Sequence, residues 1–118
     1  MKATLELKLP FKKLCGFITQ TGEANPVLVL FENEFGQYTC ERVTEGIYSF
    51  IPEIAGQFPV ETTVIKPIAQ DYGANQNIGL DRGSNDYLQF ASQDGGNSPA
   101  DGIFLHNYFE VLVYEKTL

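Results

Sequence analysis

The chain has no tryptophan, one histidine and two cysteines in 118 residues, and each shortage removes a class of chemistry. Exposed tryptophan is the favoured platform for sugar rings, so its absence weighs against glycan binding. With Cys15, Cys40 and His106 as the only thiol and imidazole donors, a zinc site lacks ligands unless carboxylates or a second subunit complete it. Two cysteines make no disulfide framework. Without an export signal they are expected to be free, buried thiols, although their places in different strands leave contact between them open. Long apolar runs are missing too. Lys2, Glu6 and Lys8 interrupt residues 1–9, where a secretory signal needs roughly 7–15 unbroken apolar residues. The longest run, residues 26–31, is far too short to cross a bilayer. The expectation is a protein without membrane association, cytoplasmic in the producing cell, with later inclusion in an assembled particle left open.

Basic charge is scarce and unevenly placed. The net charge is −7, from eight basic and fifteen acidic residues. Lys2, Lys8, Lys12 and Lys13 against Glu6 leave residues 1–20 at +3, and residues 21–118 carry −10. An acidic body repels phosphate backbones, which excludes nucleic acid as the expected partner. The basic start fits an acidic neighbour, in its own subunit or another, or simply a solvated strand face.

What the chain does have is a short, alternating apolar pattern in a composition of 43% hydrophobic and 19% charged residues, that of one folded domain. Leu5, Leu7 and Leu9 alternate with charges, the period of a half-buried strand. Residues 11–20 form a second candidate, closed by the turn-rich residues 21–25. Residues 26–32 are apolar on both faces, Val27, Val29 and Phe31 against Leu28 and Leu30, which predicts a central strand covered on both sides. A hairpin is expected around Gly46, joining Tyr38, Cys40 and Val43 to residues 47–51. Residues 61–69 read as a strand that Pro67 demotes to a sheet edge. Residues 77–82, 86–92 and 108–116 read as the last three. Ser98 and Pro99 supply a cap and first position for a single helical turn within residues 98–106, which Gly102 keeps short. About eight strands separated by turn signals predict an all-β, single-domain antiparallel β-sandwich over residues 1–118, with residues 1–13 as an added strand or arm.

Residues 77–102 hold five of the eleven glycines and four aspartates. An EF-hand needs alternating oxygen donors, glycine sixth and glutamate twelfth, and registers starting at Asp81 or Asp94 both fail. Asp94, Asn97 and Asp101 remain the candidates for a non-EF calcium site. No lysine follows these glycines and no strand-to-helix setting surrounds them, so a phosphate cradle is not expected. Glycine and asparagine at hairpin corners, and a crossover between sheets, account for the composition better than a site does. Nucleophilic catalysis needs a base beside a nucleophile, and nothing brings His106 to either cysteine. The glutamates Glu32, Glu34, Glu41, Glu45 and Glu53 are spread as outward strand and turn residues rather than as a glycosidase pair. No catalytic residue and no cofactor is expected.

The order of these elements resembles a group of small uncharacterised all-β proteins of bacterial and prophage-type genomes. Gln20, Thr21, Gly22, Pro26, Val27, Gly46, Tyr48, Asp94, Gly95, Glu110, Val113 and Tyr114 carry the likeness across residues 14–115. It implies a sandwich-like domain in a particle or assembly and carries over no catalytic residue. The functional expectation is a non-catalytic structural or protein-interaction module, its partner itself or another protein, as in a homo-oligomer. The alternative is a small ligand-binding module that holds calcium, a glycan or a polar small molecule with loops 71–77 and 94–102.

Overall fold

The computed structural model describes residues 10–68 and 77–115. They form eight strands: β1 Phe11–Thr19, β2 Val27–Asn33, β3 Tyr38–Thr44, β4 Ile47–Pro52, β5 Thr63–Ile65, β6 Asn77–Arg82, β7 Leu88–Gln93 and β8 Asn107–Tyr114. Two four-stranded antiparallel sheets result, in the orders β2-β1-β8-β5 and β3-β4-β7-β6. The β1–β2, β3–β4 and β6–β7 connections stay within a sheet, and every other connection crosses between sheets. The all-β sandwich expected from the alternation is therefore the fold.

Period-two patterning decides what is inside. On β8, Phe109, Val111 and Val113 are buried, and on β7, Leu88, Phe90 and Ser92. Phe90 stands edge-on to Phe109 across the two sheets, with ring centroids 5.1 Å apart, and to Phe104 at 5.8 Å. Leu14 and Ile18 of β1 and Tyr48 and Phe50 of β4 complete the centre. Phe35 and Phe58, from the loops, close one end at 5.1 Å from each other. Each fully buried aromatic or aliphatic side chain of this kind stabilises the fold by roughly 1.5–3 kcal/mol of hydrophobic transfer.

Three expectations change. Residues 26–32 are not a central strand: β2 is an edge of its sheet, and Val27, Val29 and Phe31 are 64%, 53% and 57% exposed. Only Leu28 and Leu30 pack against the core. A bulge sharpens the exposure, because Cys15 pairs with Glu32 and Gly16 with Leu30, leaving Phe31 as the extra residue. Gly16 is needed there, since a β-carbon would lie 2.2 Å from the Val29 carbonyl oxygen. Residues 98–106 form no helical turn. Pro99 instead bridges to Gln93, and the Asp101 side chain is drawn onto another strand, as described below. Finally, Phe11, Lys12 and Lys13, grouped with the arm, are integral to β1 and pair with Tyr114, Val113 and Leu112. The rest of that arm, residues 1–9, lies outside the described residues.

Candidate functional site

The residues singled out for metal binding separate into different local structures. Asp94 Oδ1 accepts hydrogen bonds from the backbone N–H groups of Gly96 and Ser98, at 2.8 and 3.2 Å, and so closes its own turn. Asn97, at a left-handed φ of 63°, accepts a hydrogen bond from Asn77 Nδ2 at 2.7 Å. Asp101 points to β3 and β4. Among the described residues no three His, Cys, Asp or Glu side chains gather as an ion site. Of the loop at 71–77, residues 71–76 lie outside the described residues and Asn77 opens β6.

Asp101 belongs to a polar knot that sequence reasoning missed. Its Oδ2 accepts from Arg42 Nε and Nη2 at 3.0 and 2.8 Å, and its Oδ1 from the Gly46 N–H at 3.0 Å and the Tyr48 hydroxyl at 2.6 Å. Gln20 Oε1 lies 2.9 Å from the same hydroxyl and accepts from the Gly102 N–H at 2.6 Å, while its Nε2 donates to the carbonyls of Gly22 and Ala24. Gly46 must be glycine: its φ is 74°, and a β-carbon would lie 2.5 Å from the Ser92 carbonyl oxygen. The Arg42 guanidinium, by bonding Asp101, holds that carboxyl down at about 2. Burial, then the Asp101 carboxylate, pushes the Tyr48 hydroxyl upward. The Asp101 carboxylate, the Tyr48 hydroxyl and the Gln20 amide are all engaged, so the knot pins the β7–β8 loop to the β3–β4 hairpin.

The thiols and the imidazole lie on separate elements. Cys15 and Cys40 are both free, on strands of different sheets. Burial pushes the Cys40 thiol up to about 12, far from the reactive thiolate range. Iodoacetamide at pH 8 is expected to modify Cys40 at least about a hundredfold more slowly in the native protein than after unfolding, by peptide mass spectrometry; equal rates would contradict the placement. His106 sits at a φ of 50° with Nδ1 3.4 Å from Thr19 Oγ1, and that oxygen accepts the His106 N–H at 3.1 Å. A catalytic base needs a third group to orient it; here the ring meets a hydroxyl and, at 6.4 Å, the Phe17 ring. An open cleft of about 560 Å³ is lined by Asn33, Gly36, Gln37 and Tyr38. The Asn33 amide is already spent on Gly36 O and Phe35 N–H.

The two outer sheet faces differ sharply. Across β3-β4-β7-β6 the ladder aligns Glu41, Ser49, Gln89 and Asp81 in one polar row. Across β2-β1-β8-β5 it aligns Val29, Phe17 and Tyr108 in one row, and Phe11 with Tyr114 at the far end. Phe17 is edge-on to Phe31 at 5.1 Å and lies 6.1 Å from Tyr108, and Phe11 lies 5.3 Å from Tyr114. Between these apolar ends runs a charged row: Glu32 on β2, Cys15 on β1, Glu110 on β8 and Lys66 just beyond β5. Glu110 is 8% exposed. It accepts from the Tyr108 hydroxyl at 2.9 Å, pairs with Lys66, and lies 3.6 Å from Lys13. The Lys66 ammonium, then the Tyr108 hydroxyl, lowers the Glu110 carboxyl from its ordinary range.

No protein-family model, curated protein or solved structure matches the chain.

Proposed function

We propose that the protein is a non-catalytic interaction module that docks through the outer face of sheet β2-β1-β8-β5. The observation that supports this reading is the exposure of Val27, Val29 and Phe31 on an edge strand, continuous with Phe17 and Tyr108 on that face. Single exposed apolar residues are ordinary, but a contiguous patch on one face is the mark of an interaction surface. An apolar edge strand without lysine or internal proline also invites pairing. The chemistry elsewhere agrees: Asp101 bonds Arg42, Gly46 and Tyr48, and His106 meets Thr19. Such a module suits the particle or assembly setting that the resemblance implies, with itself or another protein as partner.

The test compares Val29→Lys with Gln89→Lys, a change on the polar outer face. Complexes are followed by size-exclusion chromatography with light scattering and by affinity capture. Val29→Lys is expected to abolish the complexes that the wild-type chain forms, and Gln89→Lys to leave them intact. Complexes indifferent to Val29→Lys would contradict the reading.

A further inference from the structure

We infer that the occupant of this face is a second copy of the same chain, stacked sheet on sheet about a two-fold axis that runs parallel to the strands, between β1 and β8. The inference rests on the docking reading and adds its partner and geometry. The argument comes from the charged row. It begins with an acid at one edge, Glu32, and ends with a base at the other, Lys66; Glu32 lies 3.9 Å from Lys13 and Lys66 pairs with Glu110, yet both side chains remain more than half exposed. The two edges are three strand spacings apart, about 14 Å.

A face-to-face contact between identical subunits is self-complementary, and its two-fold axis lies in the plane of contact. Only two orientations of that axis keep the strands of the two sheets aligned. With the axis perpendicular to the strands, each charged row lies on its copy without reversal, so Glu32 meets Glu32 and Lys66 meets Lys66. With the axis parallel to the strands the row is reversed, and each Glu32 meets the Lys66 of the second copy. The same operation places β1 over β8 of the second copy. Phe17 then covers Tyr108 and Phe11 covers Tyr114, matching the apolar rows at their own heights. Parallel strand axes are also the aligned mode of sheet packing, at about 10 Å between layers. Glu110, on the same outer face, fits this geometry, because it falls over Cys15 of the second copy while Lys66 and Lys13 of its own subunit answer its charge.

Charge reversal tests the geometry directly, using the full chain. The wild type is expected to sediment as a dimer. Glu32→Lys alone sets Lys against Lys66 twice, and Lys66→Glu alone sets Glu against Glu32 twice. Each is expected to weaken dimerisation at least about tenfold. A one-to-one mixture of the two variants restores both opposite-charge pairs, and is expected to sediment as a heterodimer with wild-type affinity. Far-ultraviolet circular dichroism establishes that each variant is folded. Should reversal at Lys66 unfold the chain, Glu32→Cys mixed with Lys66→Cys under diamide, both in a Cys15→Ser background because Cys15 lies opposite Glu32, gives the same information: the mixture cross-links, and neither variant cross-links with itself. A mixture that stays monomeric, or cross-linking of Glu32→Cys with itself, overturns the inference.

The remaining outcomes separate it from the docking reading. A wild type monomeric at about 1 mM, which nevertheless captures another protein in a Val29-dependent way, overturns the second-copy inference alone. So does a monomer that dimerises only after deletion of residues 1–9, since the chain's own segment then covers the face. A dimer indifferent to Glu32, Lys66 and Val29 overturns both.

Discussion

Phe90→Ala is expected to lower the free energy of unfolding by about 4 kcal/mol, the scale of deleting a fully buried phenyl ring. Phe90 has no exposed surface, and it meets Phe104 from the β7–β8 loop and Phe109 from the opposite sheet. Its removal therefore opens a cavity where two layers and a crossing loop meet, a place that cannot close by moving one side chain. Domains of this size are stable by about 5–15 kcal/mol in all, so the variant gives up roughly a quarter to four fifths of the whole. Urea titration followed by tyrosine fluorescence checks it. Phe11→Ala serves as the comparison, because Phe11 is a partly exposed member of the outer face; its loss should be under about 1 kcal/mol. Equal losses would mean that the two faces of the sheet have been misassigned.

Asp101→Ala is expected to destabilise the fold by about 2 kcal/mol, allowing for solvent that screens the Arg42 side of the pair. That corresponds to roughly 10 °C in Tm. The larger signature is in pH. Asp101 is held at about 2 against an ordinary 3.8. A carboxyl whose value is depressed by folding stabilises the native state above its unfolded value, and that contribution disappears as pH falls through the folded value. Wild-type Tm should therefore drop between about pH 4 and pH 2. Glu110, also held below its ordinary range, contributes in the same direction as pH falls. Asp101→Ala should make the drop shallower without abolishing it, and Tyr48→Phe should reduce Tm at neutral pH by a few degrees. A variant whose Tm falls with acid as steeply as the wild type would show that Asp101 is not the anchor of the β7–β8 loop.

Much of this fold was legible in the sequence because each strand carries its own period. The alternation on β8 announced that Phe109, Val111 and Val113 share a face, and they do. Gly46 announced the β3–β4 hairpin, and Pro67 an edge at β5. The error at β2 has a physical cause. A strand apolar on both faces is equally the pattern of a strand covered twice and of an edge strand whose outer face awaits a partner. Local sequence cannot separate these, because coverage depends on which strands arrive beside it. The polar knot was hidden for a related reason. Gln20, Arg42, Tyr48 and Asp101 span 82 residues of chain, and each alone looks like an ordinary strand or turn residue. Asp101 was noticed only as one oxygen among several in a glycine-rich loop. Its left-handed neighbour Gly102 and the Gly46 hairpin aim the carboxylate at Arg42, a pairing that becomes visible only once both sheets are built.

The outer face of β2-β1-β8-β5 can be interrogated methyl by methyl. On docking through this face as proposed, solvent paramagnetic relaxation from a soluble nitroxide should be quenched at Val27, Val29 and Val64, although all three are exposed in the single chain. Val43, on the other sheet, and Ile54, in the β4–β5 loop, are also exposed in the single chain and should remain fully relaxed. The reverse pattern, with Val43 and Ile54 shielded and Val27, Val29 and Val64 still open to solvent, would contradict the assignment of that sheet face as the docking surface.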